Sequence, residues 1–304
     1  MLTLFGLDSV VAEWMGAVVV VGTFDGVHRG HAAVIRTAVE RARAMEQPCV
    51  LATFDRHPAA VLAPDRKPPC ISPLDDNLAR FAELGVDATV VLPFNAWLSR
   101  LSADTFLRDI LRGALRAEEI VVGHDFAMGN GRQGTAAWLA ERIPTTVVPP
   151  FEVEGERASS SLVRRLVVAG EMERAAAILG RPFRISGLVV GGQRLGRELG
   201  YPTANLARAA DQVLPPDAVY VAEAHTVHGR FPAALAIGTR PATGGGPRSI
   251  EAYLLDYPGK SLYGTALSLD LVRLIRPEMN FPSLEALKVR MAEDVNEVGK
   301  AFGL

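Results

Sequence analysis

The sequence contains little cysteine: Cys49 and Cys70 are its two cysteines in 304 residues. Two cysteines are too few for the disulfide framework that holds small secreted domains together. Both stand beside apolar residues, so we expect them to be buried free thiols.

Long apolar runs are also absent from the sequence. No segment approaches the roughly 20 uninterrupted apolar residues that a membrane span needs. The first ten residues lack the basic region of a signal peptide, and Asp8 soon interrupts their apolar run. We therefore expect a cytoplasmic protein with no membrane partner.

The chain has little net charge of either sign. Its formal charge is -2 at pH 7, which gives no broad basic field for nucleic acid and leaves room only for local basic pockets around a small anionic substrate. Hydrophobic residues make up 49% and charged residues 22%, an ordinary globular composition. At this length we expect two domains, and the sequence leaves weak homo-oligomerisation open.

Short apolar runs alternate with longer helical stretches between Ala17 and Val153. The run Val18–Val21 is apolar throughout, as a strand buried on both faces of a parallel sheet requires. The alternation predicts an α/β domain in which helices cover a parallel sheet. The predicted strands are AVVVVGTF, PCVLATF, ATVVLPF, EEIVVGHDF and TTVVPPFEV, and the predicted helices are HAAVIRTAVERARAM, NLARFAELG, ADTFLRDILRGAL and TAAWLAERI.

After Gly180 the pattern changes to strand-like runs separated by glycine, proline and polar turns, which is typical of an antiparallel barrel. Two helical stretches divided by Gly170 precede it, and a final helix after Pro282 takes Ser283 as its cap. We therefore expect an α/β domain over 1–180 and a small β-barrel with a C-terminal helix over 181–304. The strand-like runs are RISGLVVGGQ, AVYVAEAHTVHG, RFPAALAIG, SIEAYLLDY and TALSLDLVRLI.

The stretch GTFDGVHRGH joins the first buried strand to the helix after it. Gly22, Gly26 and Gly30 allow close approach of the backbone to a ligand, and the start of the helix offers N–H groups and a positive dipole to an anion. His28 and His31 are three residues apart, so in a helical turn they point to a similar side. Two imidazoles there can donate hydrogen bonds to phosphate oxygens and stabilise the charge on leaving pyrophosphate.

The pattern alone leaves two other interpretations of this stretch open. One is a glycine-rich turn with exposed histidines, and the other is a zinc site, although two histidines without HExxH spacing are a weak zinc signal. The stretch is neither a Walker loop nor a GxGxxG fingerprint.

A second glycine-rich stretch, GLVVGGQRLGRELGYPTANL, begins at Gly187. Its glycines surround Arg194 and Arg197, which suits a basic flap over phosphates. Thr203 and Asn205 are two residues apart, so on extended backbone they face the same way and offer two neutral oxygens to Mg²⁺. A proline-initiated turn with polar residues remains the competing interpretation of PTAN.

Beyond these patterns, GTFDGVHRGH resembles the HxGH nucleotidyltransferase motif of the bacterial bifunctional riboflavin kinase/FMN adenylyltransferase family, also called FAD synthetases. ATFDRHP, VVGHDFAMGNGRQG and SSSLVRRLVVAGEMERAAAILGRPF are similar to later segments of its first module. GLVVGGQRLGRELGYPTANL, SIEAYLLDYPGKSLYG and LIRPEMNFPSLEALKVRMAEDV resemble its riboflavin kinase module. The resemblance extends from about residue 17 to residue 295 and implies a Rossmann-like nucleotidyltransferase domain followed by a riboflavin kinase barrel.

The resemblance also implies roles for particular residues. In the first module it implies phosphate contacts and transition-state stabilisation by His28, His31 and Arg164, with Ser159 and Ser160 gripping phosphate from the far side. It implies that the nucleotide and flavin pocket of that module includes Gly22, Phe24, Asp25, Gly30, Asp125, Phe126 and Arg132. In the second module it implies a general base at Glu251, nucleotide or flavin contacts at Gly192, Arg197 and Arg276, and Mg²⁺ ligands at Thr203 and Asn205.

The implied activity is phosphorylation of riboflavin to FMN by ATP and Mg²⁺, followed by adenylyl transfer from ATP to FMN, which gives FAD and pyrophosphate. The sequence departs from the family pattern in both modules. Ser161 replaces threonine and Met128 replaces an aromatic residue in the first. Ala218 replaces glycine and PAT, with Ala242 at its centre, replaces PTF in the second, which we expect to weaken binding while keeping kinase activity.

Three other functions remain open at this point. The chain could be an FMN adenylyltransferase whose kinase module has degenerated into a flavin-binding or regulatory domain, which the departures at Ala218 and PAT favour. It could be a flavin sensor without turnover, although the chemical residues of both modules are intact. It could also be a nucleotidyltransferase for another substrate, such as a pantetheine phosphate or choline phosphate, which fits HRGH but leaves the second domain unexplained.

Overall fold

The computed structural model describes residues 1–8, 14–192, 200–208, 211–239 and 248–304. Contacts between residues divide the chain into two units, Met1–Ser160 and Ser161–Leu304. The second unit thus begins before the predicted domain boundary at residue 180, because the helix Met172–Leu179 contacts two strands of the barrel. The boundary between the two sequence modules stays a prediction.

A six-stranded parallel sheet forms the centre of the first unit, in the order β1-β4-β3-β2-β5-β8. The predicted parallel sheet is therefore confirmed. The predicted strand at residues 145–153 is shorter, because two prolines separate β8 from a small hairpin. The strands of this unit are β1 Leu2–Phe5, β2 Ala17–Val21, β3 Cys49–Phe54, β4 Ala88–Leu92, β5 Ala117–Gly123, β6 Ala127–Met128, β7 Gly134–Thr135, β8 Thr145–Val148, β9 Glu152–Val153 and β10 Glu156–Arg157.

Strand β1 was not predicted from the sequence. It pairs in parallel with β4, with Leu2 opposite Ala88 and Phe5 opposite Val91, and it lies at the edge of the sheet. Four residues before a glycine carry little periodicity, and a pairing with a strand so distant in the chain leaves no local signal.

Helices lie on both faces of the sheet, and the α-helices of the first unit are α1 Arg29–Ala44, α2 Ala59–Leu62, α3 Leu74–Glu83, α4 Ala96–Arg100, α5 Ala103–Thr105 and α6 Ala136–Ala140. The helices α7 Ser160–Ala169 and α8 Met172–Leu179 follow and, apart from Ser160, lie in the second unit. Short 3-10 turns cover Pro64–Arg66 and Asn130–Arg132. The predicted helix ADTFLRDILRGAL begins as α5 and continues as a π-helix over Phe106–Ala114. Its wider turn is visible where the Leu115 N–H donates to the Ile110 carbonyl at 2.9 Å.

Strand β2 is buried along its whole length, as its valine run predicts. Val18 and Val20 pack in the cluster that includes α1, whereas Val19 and Val21 pack in the cluster that includes the π-helix. The sheet thus has an apolar core on each side. The ends of its strands are therefore the places where polar side chains of a site can lie.

A closed antiparallel barrel forms most of the second unit, in the order β11-β12-β15-β14-β13-β16. The predicted barrel is confirmed, and PTAN proves to be extended backbone at the start of a strand rather than a turn. The barrel strands are β11 Phe183–Val190, β12 Thr203–Arg208, β13 Ala218–Thr226, β14 Gly229–Gly238, β15 Ser249–Leu254 and β16 Ala266–Pro277.

The last helix, α9, covers Leu284–Phe302 and packs on β13 and β14. Ser283 is its N-cap, as predicted, and accepts a hydrogen bond from the Ala286 N–H at 3.1 Å. Val298 packs against the outside of the barrel. The helix therefore covers the apolar part of the barrel's outer face.

The two cysteines differ in burial. Cys49 is fully buried in β3, and burial raises the pKa of its thiol to about 12. Cys70 is only half-buried, so the expectation of burial is wrong for Cys70, which forms an isolated β-bridge outside the helices and strands. Among the described residues, no helix is both long enough and apolar enough to cross a membrane.

Candidate active sites

The first candidate site lies where β2 ends and α1 begins. The Val27 N–H donates to the Phe24 carbonyl at 3.1 Å, which closes a tight turn with Gly26 at its third position. Gly26 has φ 77, and a Cβ on it would lie 2.6 Å from an Ile71 methyl carbon. Glycine is therefore required at this position, both for its backbone conformation and for space.

The two histidines of this turn lie in contact with one another. His28 is the N-cap of α1, and its Nδ1 accepts a hydrogen bond from the His31 N–H at 3.3 Å. The two rings stack with centroids 3.6 Å apart. Because its Nδ1 is an acceptor, a neutral His28 carries its proton on Nε2, which makes that nitrogen the donor. The predicted pairing of the imidazoles at a helix N-terminus is confirmed.

Phe24 packs against the histidine pair through His31. It is buried, and its ring meets the His31 ring edge to face at 5.3 Å. A Cβ on Gly22 would lie 2.8 Å from the Phe24 ring, so glycine gives the ring its space. Gly30 similarly leaves room for the His28 ring, which a Cβ would approach to 3.1 Å. The predicted ligand contacts of Gly22, Phe24 and Gly30 stay predictions.

The last residues of the first unit contact the turn that carries the histidines. Ser160 Oγ donates to the Asp25 carbonyl oxygen at 3.1 Å, and a Cβ on Gly30 would lie 3.4 Å from the Ala158 carbonyl oxygen. Ser159, next to Ser160, is therefore also near the histidine turn. Arg164 belongs to the second unit, and its predicted contact with phosphate stays a prediction.

A cavity of about 440 Å³ opens beside this turn at the carboxyl ends of the strands. In open parallel sheets, ligands bind at this edge, near the point where the strand order reverses. Phe54 and Phe94 pack edge to face at 5.2 Å and line the cavity, as does Met128. An aromatic cavity of this size suits a flat ring system. Sequence analysis missed both phenylalanines, because each stands at the end of a strand that reads as ordinary core.

Asp125, Phe126 and Arg132, predicted as pocket residues, all line this cavity. Arg132 has φ 56, and its guanidinium donates to the Asp125 carbonyl oxygen at 3.4 Å. The Asp125 carboxylate forms an exposed ion pair with Arg157, a cation that sequence analysis did not single out. The available sequence signal for Arg157 was its position shortly before the serines SSS. Arg132 therefore lines the cavity, and Arg157 is joined to it through Asp125.

The second candidate site lies on the outer face of the barrel, where β12 pairs with β15. Asn205 is directly opposite Glu251, and Thr203 is opposite Tyr253. Thr203 Oγ1 donates to Glu251 Oε2 at 3.3 Å. The alternate residues of both strands, such as Leu206 and Ala252, point into the barrel and are buried. The register thus brings both predicted metal ligands and the predicted base onto one face.

Gly192 lies against this group. A Cβ on Gly192 would stand 2.2 Å from Asn205 Nδ2, so a larger residue there would have to displace this amide. The basic flap predicted at Arg194 and Arg197, and the departure at Ala242, lie outside the described residues.

Two cavities flank the barrel site. One, of about 570 Å³, is lined by Gly192, Thr203 and Asn205 together with Tyr257 and Lys260. Within the described chain the Tyr257 hydroxyl is buried and has no hydrogen-bond partner, and burial raises the pKa of this phenol. The Tyr257 phenol therefore keeps its proton at neutral pH.

The other cavity, of about 530 Å³, is lined by Glu251, Arg276 and Phe281. The Arg276 guanidinium lies 5.5 Å from the centre of the Phe281 ring and makes a buried ion pair with Asp294 at 2.8 Å. Arg276 thus holds α9 against the barrel, and its predicted contact with nucleotide or flavin stays a prediction. Asp294 was missed, because one acid on a long helix resembles a solvated residue.

Ala218, a departure from the family pattern, also lines this second cavity. It is buried inside the regular pairing of β13, opposite Ile237, and its φ is not positive. The backbone at this position therefore does not require glycine.

Comparison with known proteins extends these observations. A family model described as FAD synthetase matches residues 10–162, and one described as riboflavin kinase matches residues 179–302. The chain is 36% identical to the bifunctional riboflavin kinase/FMN adenylyltransferase of Escherichia coli strain K12 over 295 residues, 95% of this chain and 94% of the relative. It is 33% identical to the Listeria monocytogenes protein of the same name over 299 residues, with the same coverage.

A solved structure of a Streptococcus pneumoniae protein, described as a macrolide-efflux protein, has a similar fold over the whole chain. The TM-score is 0.87 at 28% identity, and the match covers 97% of this chain and 98% of that one. Two family models and full-length relatives thus agree with the order of the two sites found here. The chain belongs to the bifunctional riboflavin kinase/FMN adenylyltransferase family.

Proposed function

We propose that this protein makes FAD from riboflavin in two steps, one in each unit. The observation that carries the proposal is the presence of two separate sites, each equipped for chemistry at phosphorus. One has stacked imidazoles at a helix start, and the other has a carboxylate beside two neutral oxygen ligands. The family's two activities support this assignment.

The first unit would transfer the adenylyl group. An oxygen of the FMN phosphate bonds to the α-phosphorus of ATP while the bond to pyrophosphate breaks, and the electron pair leaves with pyrophosphate. His28 and His31 donate hydrogen bonds to the phosphate oxygens and stabilise their growing charge. Ser159 and Ser160 contact phosphate from the other side, whereas the contact of Arg164 with phosphate stays a prediction. The aromatic cavity beside them takes the isoalloxazine ring of FMN.

The second unit would phosphorylate riboflavin. Glu251 accepts the proton of the ribityl 5′-hydroxyl, whose oxygen bonds to the γ-phosphorus of ATP while ADP leaves. The cavity with Lys260 suits ATP, because it also contains Gly192 and the two metal ligands. The cavity with Phe281 suits riboflavin, because it contains Glu251 and an aromatic ring.

Thr203 and Asn205 fit a divalent cation. They are two residues apart on a strand, face the same way as Glu251, and present neutral oxygens, the ligands that Mg²⁺ accepts alongside water and phosphate. We propose that they hold Mg²⁺, which when bound neutralises phosphate charge. The tight fit of Gly192 against Asn205 keeps that amide in place.

The proposal also includes a module boundary, a location, the substrates and the oligomeric state. The module boundary lies at residue 180, which the start of the riboflavin kinase match at residue 179 supports. The protein acts in the cytoplasm, and it takes ATP, riboflavin and FMN as its partners. Any self-association is weak.

The alternative of an adenylyltransferase with a degenerate kinase module is less well supported. Of the two departures that favour it, Ala218 adopts ordinary strand backbone. Thr203, Asn205 and Glu251 all stand on one face. The other departure, at 241–243, lies outside the described residues.

The test is chromatography of flavins after the purified protein is incubated with ATP, Mg²⁺ and either riboflavin or FMN. We expect riboflavin to give FMN and then FAD, and supplied FMN to give FAD. Conversion of FMN alone would establish the degenerate-kinase alternative. No change in either flavin would overturn the proposed function.

A further inference from the structure

The turn that carries the two histidines has an unfavourable backbone. Gly26 has φ 77, and its neighbours Phe24 and Val27 have φ 48 and φ 39. A positive φ is strained for any residue other than glycine, and most of all for a β-branched one such as Val27. Such a turn persists only where its surroundings hold it, and His28 follows it directly.

The Asp25 carboxylate is directed towards the protein backbone. It is 8% exposed and accepts hydrogen bonds from the Ile71 N–H, at 3.0 Å to each oxygen, and from the Ser72 N–H at 3.2 Å. Two backbone N–H groups compensate for burying this carboxylate. The turn is thereby tied to a loop far along the chain.

Asn77, on α3, makes a second tie between the same two segments. Its side chain is buried, its Oδ1 accepts from the Gly26 N–H at 3.2 Å, and its Nδ2 donates to the Ser72 carbonyl oxygen at 3.4 Å. One amide thus joins the turn to the loop that Asp25 also holds. Asn77 has no part in the sequence motifs.

We propose that Asp25 and Asn77 are positioning residues, which hold the strained turn at Gly26 and Val27 so that His28 and His31 keep the geometry that adenylyl transfer needs. The proposal rests on the adenylyltransferase function proposed above. It gives Asp25 a different role from the predicted ligand contact, because both carboxylate oxygens are bonded to backbone. Asn77 acts from behind the turn, through Gly26 and Ser72.

The test compares Asp25→Asn, Asn77→Ala and the double variant with Asp75→Asn, an exposed control on the same helix. We expect each single variant to lower kcat for FAD formation from FMN at least about tenfold, because misplaced catalytic groups slow the chemical step more than they weaken substrate binding. The KM for ATP should stay within about twofold. The double variant should be no slower than the slower single one, since both act on one turn.

Tryptophan fluorescence is the control for folding of the first unit, which contains Trp14, Trp97 and Trp138, and we expect it to be unchanged in each variant. The kinase rate of the same molecule is the control for the second unit and should also be unchanged. Wild-type kcat in Asn77→Ala, or additive losses in the double variant, would overturn the proposal. So would a rise in the KM for ATP in Asp25→Asn alone, which indicates direct contact with the nucleotide.

A second readout is independent of the proposed activity. The imidazole NMR signals of His28 and His31, recorded without substrate, should shift in both single variants and stay in place in Asp75→Asn. If the wild-type protein makes no FAD, the proposed function fails, and these signals still decide whether the two residues hold the turn. Unshifted signals in both variants would contradict it.

Discussion

At the scale of single residues, Gly192 shows how little space the kinase site leaves. A methyl group on Gly192 would stand 2.2 Å from Asn205 Nδ2, whereas one on the neighbouring Gly191 would meet nothing within 4 Å. The two glycines are adjacent in sequence, and they differ in whether an added methyl group would meet another side chain. They therefore form a matched pair for testing the position of the Asn205 amide.

We predict that Gly192→Ala lowers the rate of riboflavin phosphorylation at least about tenfold, because the methyl group displaces the Asn205 amide from its proposed ligand position. Gly191→Ala should keep the rate within about twofold. Adenylyl transfer from ATP to supplied FMN should be unchanged in both variants. Steady-state rates of the two reactions measure this, and equal kinase rates in the two variants would contradict the placement of Asn205.

The residues with recognisable chemistry were predictable from the sequence. His28, His31 and Glu251 were predicted, and the structure places each in a polar group at a cavity or a helix start. Sequence analysis missed Asn77 and Asp294, because a polar residue on a helix has the same local pattern whether it is solvated or bonded to a distant segment. Only the tertiary contacts distinguish the two cases.

At the scale of secondary-structure elements, one buried acid ties three elements of the first unit together. Glu119 on β5 is 2% exposed and accepts two hydrogen bonds from the Arg41 Nε, a third from its Nη2, and one from Thr146 Oγ1 on β8. The hydrogen bonds from Arg41 are the main cause that holds the pKa of Glu119 below its ordinary value. α1, which carries the histidines, is thereby fixed to the sheet.

This interaction makes the stability of the first unit depend on pH. Because the pKa of Glu119 is lower in the folded state, its contribution is fully present above the unfolded pKa of about 4.3 and is lost as the pH falls through the folded value. We predict that Glu119→Gln lowers the urea midpoint at pH 7 and that the difference from wild type shrinks below about pH 4.

Tryptophan fluorescence is the suitable measurement, since all three tryptophans, Trp14, Trp97 and Trp138, belong to the first unit. Glu40→Gln, an exposed acid on α1, is the control and should leave the midpoint within error at every pH. A difference between Glu119→Gln and wild type that stays constant down to pH 3 would show that the carboxylate's charge is not the source of the effect.

Most of the elements themselves were predictable. The valine run of β2 and the alternating runs after Gly180 gave the parallel sheet and the barrel, because hydrophobic periodicity is a local property. The π-helix was not, since its residues have ordinary helical spacing. Strand β1 was also missed, because its partner β4 is distant in the chain.

At the scale of the whole molecule, the groups that the structure brings together at each candidate site belong to one unit. The histidine turn, the serines and the aromatic cavity belong to Met1–Ser160, whereas Thr203, Asn205 and Glu251 belong to the second unit. The pairing of Asn205 with Glu251 follows from strand register, which no local pattern reveals. The order of the two activities along the chain was predictable, because each motif is continuous in sequence.

The central claim is that the two steps take place at two independent sites, and the most direct measurement is flavin chromatography of His28→Ala and Glu251→Ala with ATP and Mg²⁺. We predict that His28→Ala converts riboflavin to FMN and loses FAD formation by at least about a hundredfold. Glu251→Ala should convert supplied FMN to FAD while losing FMN formation from riboflavin by a similar factor. A folded single variant that loses both steps would contradict the claim.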